Sequence, residues 1–189
     1  MAHYYSPEQD SEFVLKQFDC IINKKEYTFY SAPGVFSGKK LDFGTKVLAQ
    51  NMKVEKGQRV LDLGCGVGVI ARIAFEKGAK VVMTDVNRRA VKLAKMNCRR
   101  CKVVCGDMYE KVSGKFDVIL LNPPQTAGKK VCLKMIEDAK EHLVKGGSLQ
   151  VVARHNKGGK TLMLFMEKVY GNIDTLVKSG GYRVYLSEN

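Results

Sequence analysis

The chain has 189 residues, 45% of them hydrophobic, which is enough for one domain with a sizeable core. No apolar run reaches the roughly 18 residues of a membrane span, and the opening MAHYYSPEQDSEF lacks the charged-then-apolar order of an export signal, so a soluble cytoplasmic protein without membrane contact is expected. A formal charge of +13, from 32 Lys and Arg against 19 Asp and Glu, draws phosphate backbones and makes nucleic acid the expected partner.

Residues 1–54 read as a small N-terminal addition. Phe13 to Ile22 and Tyr27 to Ser31 are β-rich runs around the turn NKKE, which predicts a hairpin. The Gly/Pro-rich loop APGVFSGKK follows. In LDFGTKVLAQNM, the apolar Leu41, Val47, Leu48 and Met52 then predict one face of a helix. Residues 55–189 read as the core, with strands predicted at 59–64, 80–86, 102–107, 116–122 and 148–154. Between them, helices are predicted over GVIARIAFEKG, over NRRAVKLAKMNC with Asn87 as its cap, and over KKVCLKMIEDAKEHLVKGG. KTLMLFMEKVYG predicts a last helix, and Gly180-Gly181 a hairpin between two final strands, which turns the closing strand antiparallel.

The expected fold is therefore α/β: a doubly wound, mostly parallel seven-stranded sheet with an antiparallel C-terminal strand, plus the N-terminal hairpin and helix, in one domain. Nothing in the pattern sets an oligomeric state. Cys98, Cys101 and Cys105 in CRRCKVVC form a C-x-x-C with a third thiol nearby. A zinc site needs a fourth ligand, and His3, His142 and His155 are not at ligand spacing, so no metal is expected and these cysteines read as buried thiols.

In open α/β sheets, ligands bind beyond the carboxyl ends of the strands. The residues there are Asp62 with Gly64-Cys65-Gly66-Val67-Gly68, then Asp85-Val86-Asn87, Asp107-Met108 and Asn122-Pro123-Pro124. Gly66 to Ala71 matches a dinucleotide fingerprint, with Asp85 about 20 residues on. Asp62 argues for another ligand, because a carboxylate beside the glycine turn repels a pyrophosphate and welcomes an ammonium group. S-adenosylmethionine has an ammonium, a sulfonium and a ribose but no phosphate. Each carboxylate alone could be a cap or turn residue; three at successive strand ends beside a glycine turn point to a ligand site.

Together, LDLGCGVG, TDVN, CGDM and NPP resemble, in order and spacing, the motifs of class I S-adenosylmethionine-dependent methyltransferases. The resemblance implies that Asp62 and the turn Gly64, Cys65, Gly66 and Gly68 lie along the methionine part of the cofactor. It implies further that Asp85 with Val86 takes the ribose, that Asp107 and Met108 hold the adenine, and that Asn122 lies beside the methyl group. An exocyclic amine on a base is a poor nucleophile because its lone pair is delocalised into the ring. In the family, the Asn side-chain oxygen and the first proline's carbonyl accept the two N–H bonds and free that lone pair, which assigns catalysis to Asn122, Pro123 and Pro124. Pro124, with fixed φ and no N–H, stiffens the support.

Many amine methyltransferases place an aromatic ring after the second proline, whereas this chain has Gln125. The stacking surface is therefore expected from Phe36, with Tyr30 and Tyr109 as lesser candidates. PGVFS, LDFGTKVLA, NPPQTAGK and GGYRVY together resemble the small-subunit ribosomal RNA guanine-N2 methyltransferases, especially their short single-domain archaeal-type members. That resemblance implies transfer to guanine N2 in rRNA, with Phe36, Gln125, Lys129 and Arg154 at the substrate. Lys39, Lys40, Lys130 and Lys157 join Lys129 and Arg154 as expected phosphate contacts, and RNA affinity is expected to fall with salt. The alternatives are a protein glutamine N5-methyltransferase, a small-molecule methyltransferase and a non-enzymatic RNA-binding module.

Overall fold

The computed structural model describes residues 3–36, 38 and 40–189. Two strands, β1 (Lys16–Ile22) and β2 (Lys25–Ser31), pair antiparallel with Ile22 opposite Lys25, so Asn23 and Lys24 alone make the turn. Both have positive φ, 51° and 64°, as the tightest hairpin turns require. The predicted strand start at Phe13 is corrected: residues 13–15 are exposed and irregular, because the ladder with β2 begins only at Lys16 opposite Ser31.

Helix α1 (Phe43–Asn51) begins at Asp42, whose carboxylate accepts the Thr45 N–H at 2.8 Å and so satisfies one of the helix's free donors. There follow β3 (Arg59–Leu63), α2 (Val69–Glu76), β4 (Lys80–Asp85), α3 (Arg88–Asn97), β5 (Lys102–Cys105), β6 (Phe116–Leu121), α4 (Lys129–His142), β7 (Leu143–Arg154), α5 (Lys160–Tyr170), β8 (Asp174–Ser179) and β9 (Tyr182–Glu188). The sheet order is β5-β4-β3-β6-β7-β9-β8, parallel except for β9, which runs antiparallel to both its neighbours. Gly180 and Gly181, at φ 53° and 79°, form the expected two-residue hairpin.

Alternation along each strand divides the core between two faces. Val60, Leu120 and Val152 pack with α1, α2, α3 and the hairpin residues Phe18, Ile22 and Phe29. Leu61, Ile119 and Val151 point the other way, onto Ile136 of α4 and Met166 of α5. The N-terminal hairpin thus shares the core of the sheet.

The long helix predicted over 129–147 stops at His142. Leu143 opens β7 opposite Phe116, and the register shifts before Ser148 pairs with Val118. Gly146 sits at φ 75°, and a Cβ on Gly147 would lie 3.0 Å from the Phe116 and Asp117 carbonyls, so this stretch packs against backbone as only glycine can. The cysteine reading is also corrected: Cys98 and Cys101 are joined as a disulfide and buried, while Cys105 remains a half-buried thiol. No helix among the described residues is long and apolar enough to cross a membrane.

Candidate active site

The carboxyl ends of β3 and β6, neighbours where the strand order reverses, open into a cavity of about 330 Å³. Gly64 and Gly66, at φ 69° and 54°, form its floor, and a Cβ on Gly66 would meet nothing within 4 Å. A bound group can therefore lie directly on that backbone. Asp85 at the end of β4 accepts the Gly66 N–H at 2.8 Å with one carboxylate oxygen and the Asn87 N–H at 2.9 Å with the other. Those bonds tie the glycine turn to β4 and aim the carboxylate along the cavity wall. Burial raises the Asp85 pKa above its ordinary value, against the lowering effect of the backbone donors.

Asp62 lies behind this wall rather than in it. It is 1% exposed, and its carboxylate accepts the Ala71 N–H at 3.0 Å in the first turn of α2. Burial pushes its pKa up to about 7, with the Asp85 charge adding and the Ala71 bond opposing. Cys65 and Gly68 also lie outside the lining. The buried Cys65 thiol is raised well above its ordinary pKa by burial, and a Cβ on Gly68 would press on Met83 and Ala94. These three residues shape the turn from behind.

Val86, the exposed Asp107 and Met108 complete this side of the cavity; Met108 has the left-handed φ of 43° uncommon for a side chain of its size. Asn122, Pro123 and Pro124 close the opposite side. The Asn122 amide nitrogen donates to Asp42 Oδ2 at 3.1 Å and to Thr45 Oγ1 at 3.0 Å, while the Thr45 hydroxyl itself donates to Asp42 Oδ2 at 3.1 Å. A carboxylate only accepts, so the atom facing it must be nitrogen, and the Asn122 oxygen is left for the cavity. Among the described residues no protein donor reaches the Pro123 carbonyl, whereas the Pro124 carbonyl accepts Ala127 N–H and the Cys132 thiol. Two acceptors on a braced loop thus remain unclaimed among the described residues.

Phe36 lines the cavity as expected, and Tyr109 does not: its ring is buried, and its hydroxyl donates to the Met135 carbonyl at 2.9 Å. Tyr30 lies on β2, bonded through its backbone to Asn97. Gln125 and Lys129 face a separate cleft of about 140 Å³, with Lys157 and Thr161. Arg154, at the end of β7, lines neither cavity. Lys40 and Lys130 are exposed, and Lys39 lies outside the described residues. Sequence reasoning missed Asp42 and Thr45 as supports, although an Asp immediately before the first residue of a helical pattern is a cap signal. It also missed Tyr4 and Tyr5, which line the cavity from the other end of the chain.

Residues 26–186 match the family model for the methyltransferase small domain. The chain belongs to that family. The methyltransferase is 33% identical to the YbxB protein of Bacillus subtilis, covering 96% of both chains. It is 32% identical to the ribosomal RNA small subunit methyltransferase C of Haemophilus influenzae, over 99% of its own length and 60% of the relative's. Among solved structures it superposes on the T. thermophilus 16S rRNA N2 guanine methyltransferase, in complex with AdoMet and guanosine, with a TM-score of 0.80 and 26% identity. That match covers 96% of this chain and 52% of the other. The chain therefore spans about half to three-fifths of the rRNA enzymes it resembles.

It is a class I methyltransferase, of the S-adenosylmethionine-dependent kind, and the cavity fits that cofactor on its own chemistry. Among the described residues no Lys or Arg lines it to neutralise a pyrophosphate, while Asp85 and Asp107 offer acceptors to hydroxyl and amino groups. The open backbone at Gly66 and the apolar Val86, Met108, Val131 and Met135 suit a flat nucleoside.

Proposed function

We propose that the chain methylates an exocyclic amine of RNA, with guanine N2 in small-subunit rRNA as its target. The observation that carries this reading is the orientation of the Asn122 amide, fixed by Asp42 and Thr45 so that its oxygen faces the cavity beside the free Pro123 carbonyl. An amine with two hydrogens matches two acceptors. Holding both N–H bonds draws the nitrogen toward tetrahedral geometry and turns its lone pair away from the ring. The bound cofactor supplies a methyl group on a positively charged sulfur. With the cofactor bound, the Asn122 oxygen and the Pro123 carbonyl would hold the amine for methyl transfer and would stabilise the positive charge that develops on its nitrogen.

Asp62, Cys65 and Gly68 serve the cofactor from behind the glycine turn; Gly64, Gly66, Asp85 and Val86 touch it; Asp107 and Met108 take the adenine. Phe36 provides the apolar face for the target base, which must leave its stack to reach a strand-end pocket. The charge of +13 and the exposed Lys129, Lys130, Arg154 and Lys157 support RNA over a small molecule. So do the relatives named as rRNA methyltransferases, and an rRNA target places the work in the cytoplasm. Gln125 in place of an aromatic ring speaks against a glutamine acceptor.

The deciding experiment incubates the protein with labelled S-adenosylmethionine and unmodified rRNA or small subunits, then digests the RNA for nucleoside mass analysis. N2-methylguanosine is expected. Label on protein, with methyl-free RNA, would transfer the assignment to glutamine.

A further inference from the structure

The cavity has a wall that none of the strand-end motifs supplies. Tyr4 and Tyr5 line it from an N-terminal arm, residues 3–15, that has no helix or strand and lies outside the stretch matched by the family model. The arm is held mainly by polar contacts to the first turn of α3. Asn87, fully buried, donates from its amide nitrogen to the Tyr4 carbonyl at 2.8 Å and the Gly34 carbonyl at 2.9 Å, while its oxygen accepts the Arg89 and Ala90 N–H groups. The Arg88 N–H donates to the Pro7 carbonyl, and the Arg89 guanidinium reaches Ser11. Gln9 covers Gly34 so closely that a Cβ there would lie 2.6 Å from its side-chain oxygen.

The other end of Tyr4 reaches the reacting loop. Its hydroxyl lies 2.8 Å from Thr126 Oγ1, and the Tyr5 hydroxyl donates to the Thr126 carbonyl at 3.4 Å. Thr126 stands four residues after Asn122, and the Tyr4 ring packs 5.1 Å from Phe36. One residue therefore bridges the cavity: its carbonyl is bonded just past Asp85-Val86, its hydroxyl beside the catalytic loop.

We propose that this arm is a strap over the cofactor, with Tyr4 and Tyr5 as cofactor-binding residues and the Tyr4–Thr126 contact as its clasp. The proposal rests on the methyltransferase reading of the cavity but not on the identity of the acceptor. Two aromatic rings closing the open side remove apolar cofactor surface from water and present π-faces near a ligand that carries a sulfonium. A wall without regular structure, whose clasp is exposed, opens more easily than the sheet beneath it, so cofactor exchange runs through release of the arm.

The test titrates S-adenosylhomocysteine into the full chain and into Tyr4→Ala, Tyr4→Phe and Thr126→Val by calorimetry, with hydrogen exchange read along residues 3–15. Tyr4→Ala is expected to weaken binding about tenfold or more, and the two clasp variants roughly two- to fivefold. Unfolding temperatures should stay near that of the unaltered protein, because the arm adds little to the core, and the arm amides should exchange more slowly once ligand is bound. Affinities within about twofold for all three variants, or arm exchange indifferent to ligand, would overturn the strap alone. No binding by the unaltered chain would overturn the cofactor reading of the cavity and the strap with it.

Discussion

The two sides of the cavity are built differently. On the side proposed for the cofactor, contacts are short in sequence: Asp62 reaches Ala71, nine residues on, and Asp85 reaches Gly66 and Asn87, nineteen and two residues away. On the side proposed for the acceptor they are long: Asn122 leans on Asp42 and Thr45 across 80 and 77 residues. One side is a set of strand-end turns that each fold against their own neighbours. The other exists only after the N-terminal addition has docked on the sheet. A cofactor site of the first kind survives change in the second, so binding and transfer should be separable by mutation.

The sharpest separation is expected at Asn122. Replacing it by Ala removes one of the two acceptors aimed at the amine, a loss comparable with removing one preorganised hydrogen-bonding group from a transition state, or roughly 10²–10³-fold in kcat. None of its bonds supports the glycine turn, so the dissociation constant for S-adenosylhomocysteine should stay within about threefold. Collapse of cofactor binding would show that the two sides are one unit and would remove Asn122 from the reacting amine.

Asp42 tests the same division one step further out. In Asp42→Ala the Asn122 amide keeps only Thr45 as a partner and can turn its nitrogen toward the cavity, where it repels the amine hydrogens. A fall in kcat of about 10–100-fold is expected, with the KM for RNA and the cofactor affinity little changed. The same substitution uncaps α1, at about 1 kcal/mol of stability. Asp42→Asn separates these effects, since its oxygen can still accept the Thr45 N–H and cap the helix while the negative charge behind the amide is gone. An intermediate kcat at near-normal stability identifies Asp42 as a positioning residue; activity that simply tracks the melting temperature of both variants identifies it as a cap.

How much of this was legible in the sequence follows the same boundary. The glycine turn, Asp85, Asp107-Met108 and Asn122-Pro123-Pro124 could be read because each sits at the end of an apolar run whose period marks a strand, and chain order alone then brings those ends together. Asn87 as the cap of α3 and the Gly180-Gly181 hairpin were readable for the same local reason. The end of α4 was not, because EHLVKGG continues a helical pattern and only pairing of Leu143 with Phe116 turns it into strand. Tyr4 and Tyr5 carried no period at all, and no spacing rule links a residue at position 4 to one at position 126. The role of Asp62 was legible only in part: the carboxylate beside the turn was visible, but its direction, toward Ala71 instead of the cavity, depends on how α2 packs onto β3.

That direction gives the smallest and most specific test. The folded protein holds a proton on Asp62 up to about pH 7, whereas the unfolded chain releases it near 3.8. Between those values the folded state binds more protons than the unfolded one, so stability from this group is present below about pH 4 and is lost as pH rises through about 7. Asp62→Asn has no proton to lose and can still accept the Ala71 N–H. Its urea midpoint should therefore fall less between pH 5 and pH 8 than that of the unaltered chain, by the equivalent of about 1–3 kcal/mol. Asp85, also raised by burial, keeps part of the slope in both proteins. Affinity for S-adenosylhomocysteine should stay within about threefold, because Asp62 acts on the cofactor through the turn it braces. A loss of more than about tenfold, with the pH slope unaltered, would instead put the carboxylate against the ligand's ammonium group and make the cofactor side depend on direct charge pairing.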